Sequence, residues 1–307
     1  MQRDPDTRLG LTLGPLLFNW QSAMIVDFYA RIADEAPLDA VCIGEVVCSK
    51  RHPLHADALA EVCARLRRAG KKVVLSTLAL ATLPRELREF SALMEQDEFA
   101  VEINDQTALA YMGEARPFRV GPFVNLYNES TLTYFAQRGA SHVCFPPELS
   151  LAAVEILSKR AAALDVKEEV WGFGRVPLAL SGRCYHARLQ GSNKDSCQFV
   201  CERDADGLDV RTLDEQRLLA VNGVQTLSHS YCNVIGDTDR LAQAGVKSIR
   251  LSPHGFDMVA VTDAFRQRLD GRIGPEEARA RMAVICGPAT FSNGFLFGAA
   301  GLELART

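Results

Sequence analysis

Residues 40–78 read AVCIGEVVCSKRHPLHADALAEVCARLRRAGKKVVLSTL. AVCIGE (40–45) has the length and apolar content of a short strand, and HADALAEVCARLRRAG (55–70) repeats its apolar residues at helical spacing. KKVVLSTL (71–78) is apolar without alternation, as a strand covered on both faces would be. Strand, helix and strand in that order imply parallel pairing through a helical crossover. The order recurs upstream in LTLGPLL (11–17) and the helical SAMIVDFYARIADEA (22–36). Downstream it continues through helical LPRELREFSALMEQ (83–96), AVEIND (100–105), helical QTALAYMGEA (106–115) and FRVGPFVNL (118–126). Helical STLTYFAQRG (130–139), SHVCFPPE (141–148), helical LSLAAVEILSKRAAAL (149–164) and the strand EEVWGFGRVPLAL (168–180) complete about seven β-α units. Eight such units close a (β/α)8 barrel. No G-x-G-x-x-G follows the first strand, which disfavours a doubly wound sheet. The expected fold is therefore α/β, a TIM-barrel-like (β/α)8 structure or a distorted or incomplete version of it, spanning 1–307 as one domain.

The rhythm breaks after Leu180. Residues 181–212 are rich in Gly, Ser, Asn, Asp, Lys and Cys and show little periodicity. A structureless stretch of that length inside a compact domain is usually functional, so it reads as a ligand-bearing insertion after the seventh strand. RLLAVNGVQTLSHSYCNV (217–234) and KSIRLSPHG (247–255) then look like strands, with TDRLAQAG (238–245) and MVAVTDAFRQRL (258–269) as helices.

The insertion holds SGRCYHARLQGSNKDSCQFVC (181–201), with Cys184, Cys197 and Cys201 spaced C-x12-C-x3-C among Arg183, His186, Arg188 and Lys194. Positive neighbours favour the thiolate, which is the metal-binding form. Cys48 follows the strand AVCIGE in the polar stretch VCSKRH. In a barrel, loops after strands share one face, so Cys48 and the trio can meet there. A thiolate quartet is the usual cage for an iron–sulfur cluster or a structural zinc. Zinc sites favour two close knuckles and only one close pair is present; spacing alone leaves cluster, zinc and no metal all open. Of the nine cysteines, Cys42, Cys63, Cys144 and Cys286 lie in strand or helix runs and read as core, as does Cys232 in SHSYCNV.

The chain of 307 residues carries a net charge of −4 and 48% hydrophobic residues. That balance argues against nucleic-acid binding. MQRDPDTRLGLTLG (1–14) has no signal-like apolar stretch, and no run approaches the roughly 18 apolar residues of a membrane span. A cytoplasmic protein is expected, with its cysteines reduced.

EVWGFGRVPLALSGRCYHAR (169–188) resembles the signature of the collagenase-like peptidase family. Together with GEVVCSKRH (44–52), LSTLAL, PPELS, NGVQTLS and RLSPHG it is most similar to the UbiV group of that family's ubiquinone-biosynthesis branch, from GPLLFNW (14–20) to GLEL (301–304). The resemblance implies a 4Fe-4S cluster held by Cys48, Cys184, Cys197 and Cys201. It also implies a heterodimer with a UbiU-like paralogue, a UbiT-like lipid carrier as helper, and oxygen-independent hydroxylation of a ubiquinone precursor with prephenate as hydroxyl donor. Many relatives carry His at the position of Phe173 and a further ligand Cys at that of Pro177; the loss of that Cys, with Cys48 supplying the fourth thiolate, points to UbiV rather than UbiU. Two alternatives are a collagenase-like peptidase and a non-catalytic scaffold subunit stabilised by its metal. No H-E-x-x-H or G-x-S-x-G is present.

Other residues carry weaker signals. Lys50, Arg51 and His52 read first as a solvated loop that supports the thiolate, and second as an anion or partner contact. Glu45, Glu102, Asp105, Asn125 and Asn128 fall at strand ends, where structural or capping roles are favoured over catalysis. His254 reads as a hydrogen-bonded structural histidine before a proton shuttle, and Trp171 and Phe173 as barrel packing. Catalytic residues are otherwise unassigned.

Overall fold

The computed structural model describes residues 8–113 and 116–305. The first seven residues of MQRDPDTRLGLTLG, the last two of QTALAYMGEA and the final two of the chain lie outside the described residues.

Short apolar runs become strands because each is covered on both faces. Strands β1 (Gly10–Leu13), β2 (Ala40–Ile43), β3 (Lys72–Ser76), β4 (Ala100–Ile103), β5 (Phe118–Val120), β6 (Ala140–Cys144) and β7 (Lys167–Leu180) pair in parallel in chain order. After β8 (Leu208–Arg211), β9 (Arg217–Asn222) and β10 (Gln225–Asn233), the strand β11 (Ser248–Leu251) pairs in parallel with both β7 and β1. An eight-stranded parallel barrel is thereby closed. Helices α1 (Ser22–Glu35), α2 (His52–Arg68), α3 (Pro84–Glu95), α4 (Glu129–Ala136) and α5 (Leu151–Ala163) fill the outer ring, followed by α6 (Tyr185–Leu189), α7 (Thr238–Gln243), α8 (Met258–Leu269) and α9 (Pro275–Cys286). The fold is TIM-barrel-like, as the β-α rhythm predicts.

The structure corrects several details. Among the described residues of QTALAYMGEA, Gln106–Tyr111 form a 3-10 helix rather than an α-helix, and FRVGPFVNL is a strand only to Val120. Helix α9 and the two-residue strand β12 (Phe291–Ser292), which pairs with β10, were not anticipated. β7 serves two sheets. Its first half closes the barrel, and its second half continues outward to pair with β10 in antiparallel, followed by β9 and β8. Pro177 sits beside a register irregularity opposite Leu227, a position where a missing N–H is tolerated. The stretch 181–212 is not structureless: it folds into α6, a 3-10 turn at Val200–Arg203 and β8.

The barrel interior contains charge. Arg250 on β11 donates from Nε to Glu169 (2.5 Å) and from Nη1 to Glu102 (3.0 Å), and Arg119 reaches Glu169 at 3.4 Å. All four residues are buried. Such charges persist in a low-dielectric core only when paired and hydrogen-bonded. Despite burial, Arg250 and then Arg119 hold the Glu169 carboxyl down to about 2. Glu102 therefore neither caps a helix nor faces the mouth; it ties β4 to β11.

Candidate metal centre at the cysteine loops

The loop after β2 starts with a forced glycine. Gly44 has φ +138°, and a Cβ there would stand 2.5 Å from the backbone oxygen of Ser76. Glu45 follows, and its Oε1 accepts the N–H groups of Val47 and Cys48, both at 2.8 Å. Cys48 then leads a 3-10 turn over Ser49–Arg51, closed by the Arg51 N–H on the Cys48 carbonyl (2.9 Å). Ser49 donates to Glu86 at 2.5 Å, and Glu86 also accepts the N–H groups of Thr82 and Leu83 at the start of α3. The Cys48 loop is thus fixed from both sides.

Lys50 and Arg51 are not a solvated loop, which corrects the first reading of them. Arg51 is 1% exposed; it donates to the Leu17 carbonyl (3.0 Å) and Asn222 Oδ1 (2.9 Å) and stands 3.9 Å from Glu45. Lys50 crosses to the insertion, donating to the carbonyls of Lys194 (2.7 Å) and Asp195 (3.2 Å) and approaching Cys197 Sγ at 3.6 Å. His52 alone of the three is exposed.

In the insertion, Cys184 caps α6, its sulfur accepting the Ala187 N–H at 3.4 Å. His186, fully buried, bonds Asp204 at 2.9 Å and so joins α6 to the end of the turn that holds Cys201. Between Cys197 and Cys201, Gln198 (φ +45°) and Phe199 (φ +54°) are both left-handed. Two consecutive non-glycine residues in that region are strained, and such strain concentrates at functional sites. Cys184, Cys197 and Cys201 are buried although the sequence around them is polar; Cys48 is half-buried.

Electrostatics links the four cysteines. Burial raises the Cys184 thiol, the Ala187 hydrogen bond lowers it, and the neighbouring Cys201 and Cys197 raise it again. Burial also raises Cys48, against the pull of Arg51. The same Arg51 guanidinium interacts with Cys201. Among the described residues no three His, Cys, Asp or Glu side chains converge closely enough to hold one metal ion. An all-sulfur donor set beside the two cations Lys50 and Arg51 fits an iron–sulfur cluster chemically.

The remaining cysteines differ. Cys42, Cys63, Cys144, Cys232 and Cys286 are buried, and burial drives Cys42, Cys232 and Cys286 to about 12. They are inert core thiols. Asp105 caps the 3-10 helix through the Thr107 N–H, Asn128 caps α4 through the Thr131 N–H, and Asn125 is exposed. Trp171 and Phe173 are buried, with Phe173 stacked on Tyr231.

His254 is a hydrogen-bonded structural histidine, as the sequence favours, but its partners and a second arrangement were not legible there. His254 Nε2 accepts the Arg175 N–H (3.0 Å), which leaves Nδ1 to donate to Asp206 (2.8 Å); Tyr231 also donates to Asp206 (2.6 Å). That engagement makes His254 a structural tie between β7 and the insertion. The second is a chain in which Ser22 Oγ meets His55 Nδ1 and His55 Nε2 meets Asn19 Oδ1, each at 3.1 Å. Ser22 is equally near the Leu54 carbonyl (3.1 Å). These residues are scattered over 37 positions with no motif to announce them.

The profile of peptidase family U32 matches residues 29–305. Among solved structures, a Clostridium thermocellum protein that binds two copies of 5-methyl-5,6,7,8-tetrahydrofolic acid is similar at TM-score 0.45 and 9% identity, over 87% of this chain and 97% of that one. Ligand-free tryptophan synthase from M. tuberculosis is similar at TM-score 0.40 and 15% identity, over 90% of this chain and 94% of that one.

Proposed function

We propose that this chain, which belongs to peptidase family U32, is a UbiV-like 4Fe-4S subunit of an oxygen-independent hydroxylation system for ubiquinone precursors. In this reading it works as a cytoplasmic heterodimer with a UbiU-like paralogue, assisted by a UbiT-like lipid carrier, with prephenate as hydroxyl donor. No helix among the described residues is long and apolar enough to cross a membrane. The observation that carries the reading is the joining of the Cys48 loop to the Cys184–Cys201 segment by Lys50 and Arg51.

Cys48, Cys184, Cys197 and Cys201 would hold the cluster, which when bound supplies one-electron transfer. Lys50 and Arg51 offset the negative charge of clustered thiolates, and Arg51 anchors the loop to Leu17 and Asn222. The Ala187 N–H orients Cys184 and stabilises its thiolate. Burial of the trio excludes water from sulfur, and outer-shell contacts of this kind tune potential and solvent access.

The test is anaerobic reconstitution with the paralogue, a ubiquinone precursor and prephenate. Wild-type chain should give hydroxylated product, and Cys184→Ala or Cys201→Ala should abolish it while the heterodimer still forms. Product formation unaffected by both substitutions contradicts the proposal. Loss of the heterodimer itself in these variants would instead indicate a metal-stabilised scaffold. The peptidase reading has one supporting geometry, the Ser22–His55–Asn19 chain, in which a hydroxyl, an imidazole and an orienting oxygen lie in series. It requires proteolysis that Ser22→Ala removes and Cys184→Ala leaves intact.

A further inference from the structure

A cavity of about 450 Å³ opens between α2 and α3 against the ends of β2 and β3. That volume is within the roughly 300–1,000 Å³ range of small-molecule sites. Leu59, Cys63, Leu75, Phe90, Leu93 and Phe99 supply most of its wall. The hydroxyls on its floor are already engaged. Ser76 donates to Glu102 (3.0 Å), and Thr77 donates to the Leu78 carbonyl (3.2 Å) while accepting the Asn104 N–H (2.9 Å). On one side of the mouth Arg67 pairs with Glu98 and lies over the Phe99 ring. On the other side stand His52 and Glu89; burial raises the Glu89 carboxyl and the nearby His52 lowers it.

The inner end is formed by Gly44 and Glu45. Gly44 cannot carry a side chain there without striking Ser76, so the floor is kept clear. Glu45 is the residue that accepts the Cys48 N–H. The cavity thus runs from the outer helical ring to the support of the Cys48 loop. Water in an open cavity of this size finds few hydrogen-bond partners on the apolar walls, so an apolar ligand that displaces it gains burial.

We propose that the α2–α3 cavity binds an uncharged, hydrocarbon-rich small molecule bearing one polar head group that meets His52 and Glu89. The apolar walls disfavour a phosphate or a dicarboxylate, because the lining donors, Arg67 and His52, stand at the mouth and Arg67 is already paired with Glu98. Identifying this ligand with the hydroxylation substrate rests on the function proposed above, whereas the site itself rests on its own walls.

The probe is N-phenyl-1-naphthylamine, an uncharged apolar fluorophore, titrated into the purified full chain and displaced by farnesol. Saturable fluorescence gain is expected, reversed by farnesol and unaffected by citrate. Ala64→Trp, which fills the cavity from a half-buried position on α2, should weaken binding at least tenfold. Ala60→Trp at the exposed mouth should do the same, and it alone decides if Ala64→Trp does not fold. Absence of saturable binding, or binding unchanged in the folded variants, overturns the site. Iron content measured on the same samples separates the two proposals. Iron-free protein that binds the probe removes the cluster and keeps the cavity; iron-loaded protein that does not bind it removes the cavity alone.

Discussion

Arg51 holds the Cys48 loop through three partners at once, the Leu17 carbonyl, Asn222 and Glu45. Removing one side of a buried charge pair leaves the other uncompensated. Arg51→Leu should therefore lower unfolding free energy by about 3 kcal/mol in urea titration; a loss below about 1 kcal/mol would show that the loop is held elsewhere. Asp206 gives a second residue-level expectation. Burial opposes its charge, but His254 and Tyr231 hold its carboxyl down from 3.8 to about 2. The folded value lies below the unfolded one, so its contribution is full above pH ~4 and fades as pH falls toward 2. Asp206→Asn should remove about 2 kcal/mol of stability at pH 6 and flatten the loss between pH 4 and 2. A variant with the wild-type acid profile would contradict the pairing.

At the scale of elements, the β9–β10 hairpin matters most. Its two-residue turn, Gly223–Val224, brings Asn222 to Arg51, and the Gly223 and Val224 carbonyls accept the N–H groups of His186 and Ser181. Gly223 has φ +61°, and a Cβ would stand 2.9 Å from Arg51 Nη2. Gly223→Val should cost about 2 kcal/mol from backbone strain and disturb Arg51 as well. In the reconstituted protein it should reduce iron retention although no cysteine is touched. Full iron retention would separate the hairpin from the site. The sequence showed these runs as strands, yet not that Asn222 and Gly223 face the cysteine loops. That contact joins Arg51 to residues 171 positions away, and no local pattern records it. The barrel strands, by contrast, were legible, because burial on both faces leaves continuous apolar runs such as KKVVLSTL. The exceptions have local causes. The Asp105 carboxylate caps a 3-10 turn at the head of QTALAYMGEA, and FVNL leaves the sheet after Gly121, whose N–H still bonds Ile103.

At the scale of the whole molecule, the barrel is closed around Arg250, Glu102, Glu169 and Arg119, and these cross-links join four of its eight strands. Arg250→Met should destabilise the protein by roughly 3–5 kcal/mol, because two buried carboxylates lose a partner. Adding Glu102→Gln should restore part of that loss in urea titration; a double variant no better than the single one would contradict the pairing. Glu102 and Arg250 look alike in sequence to any charged residues at strand ends. Only barrel closure, which sets residue 102 against residue 250, shows them to be core. The four proposed ligand cysteines stand out in the sequence for the opposite reason: they lie in polar, basic stretches, whereas Cys42, Cys63, Cys144 and Cys286 lie in strand or helix runs.

The central claim is that Cys48, Cys184, Cys197 and Cys201 together bind one cluster. Its most direct test is iron and acid-labile sulfide content of anaerobically purified protein, for wild type and the four single Cys→Ala variants. The account predicts about four iron and four sulfide per wild-type chain, with marked loss in every variant. Wild-type protein free of iron and sulfide, or a variant that retains the full complement, would contradict it.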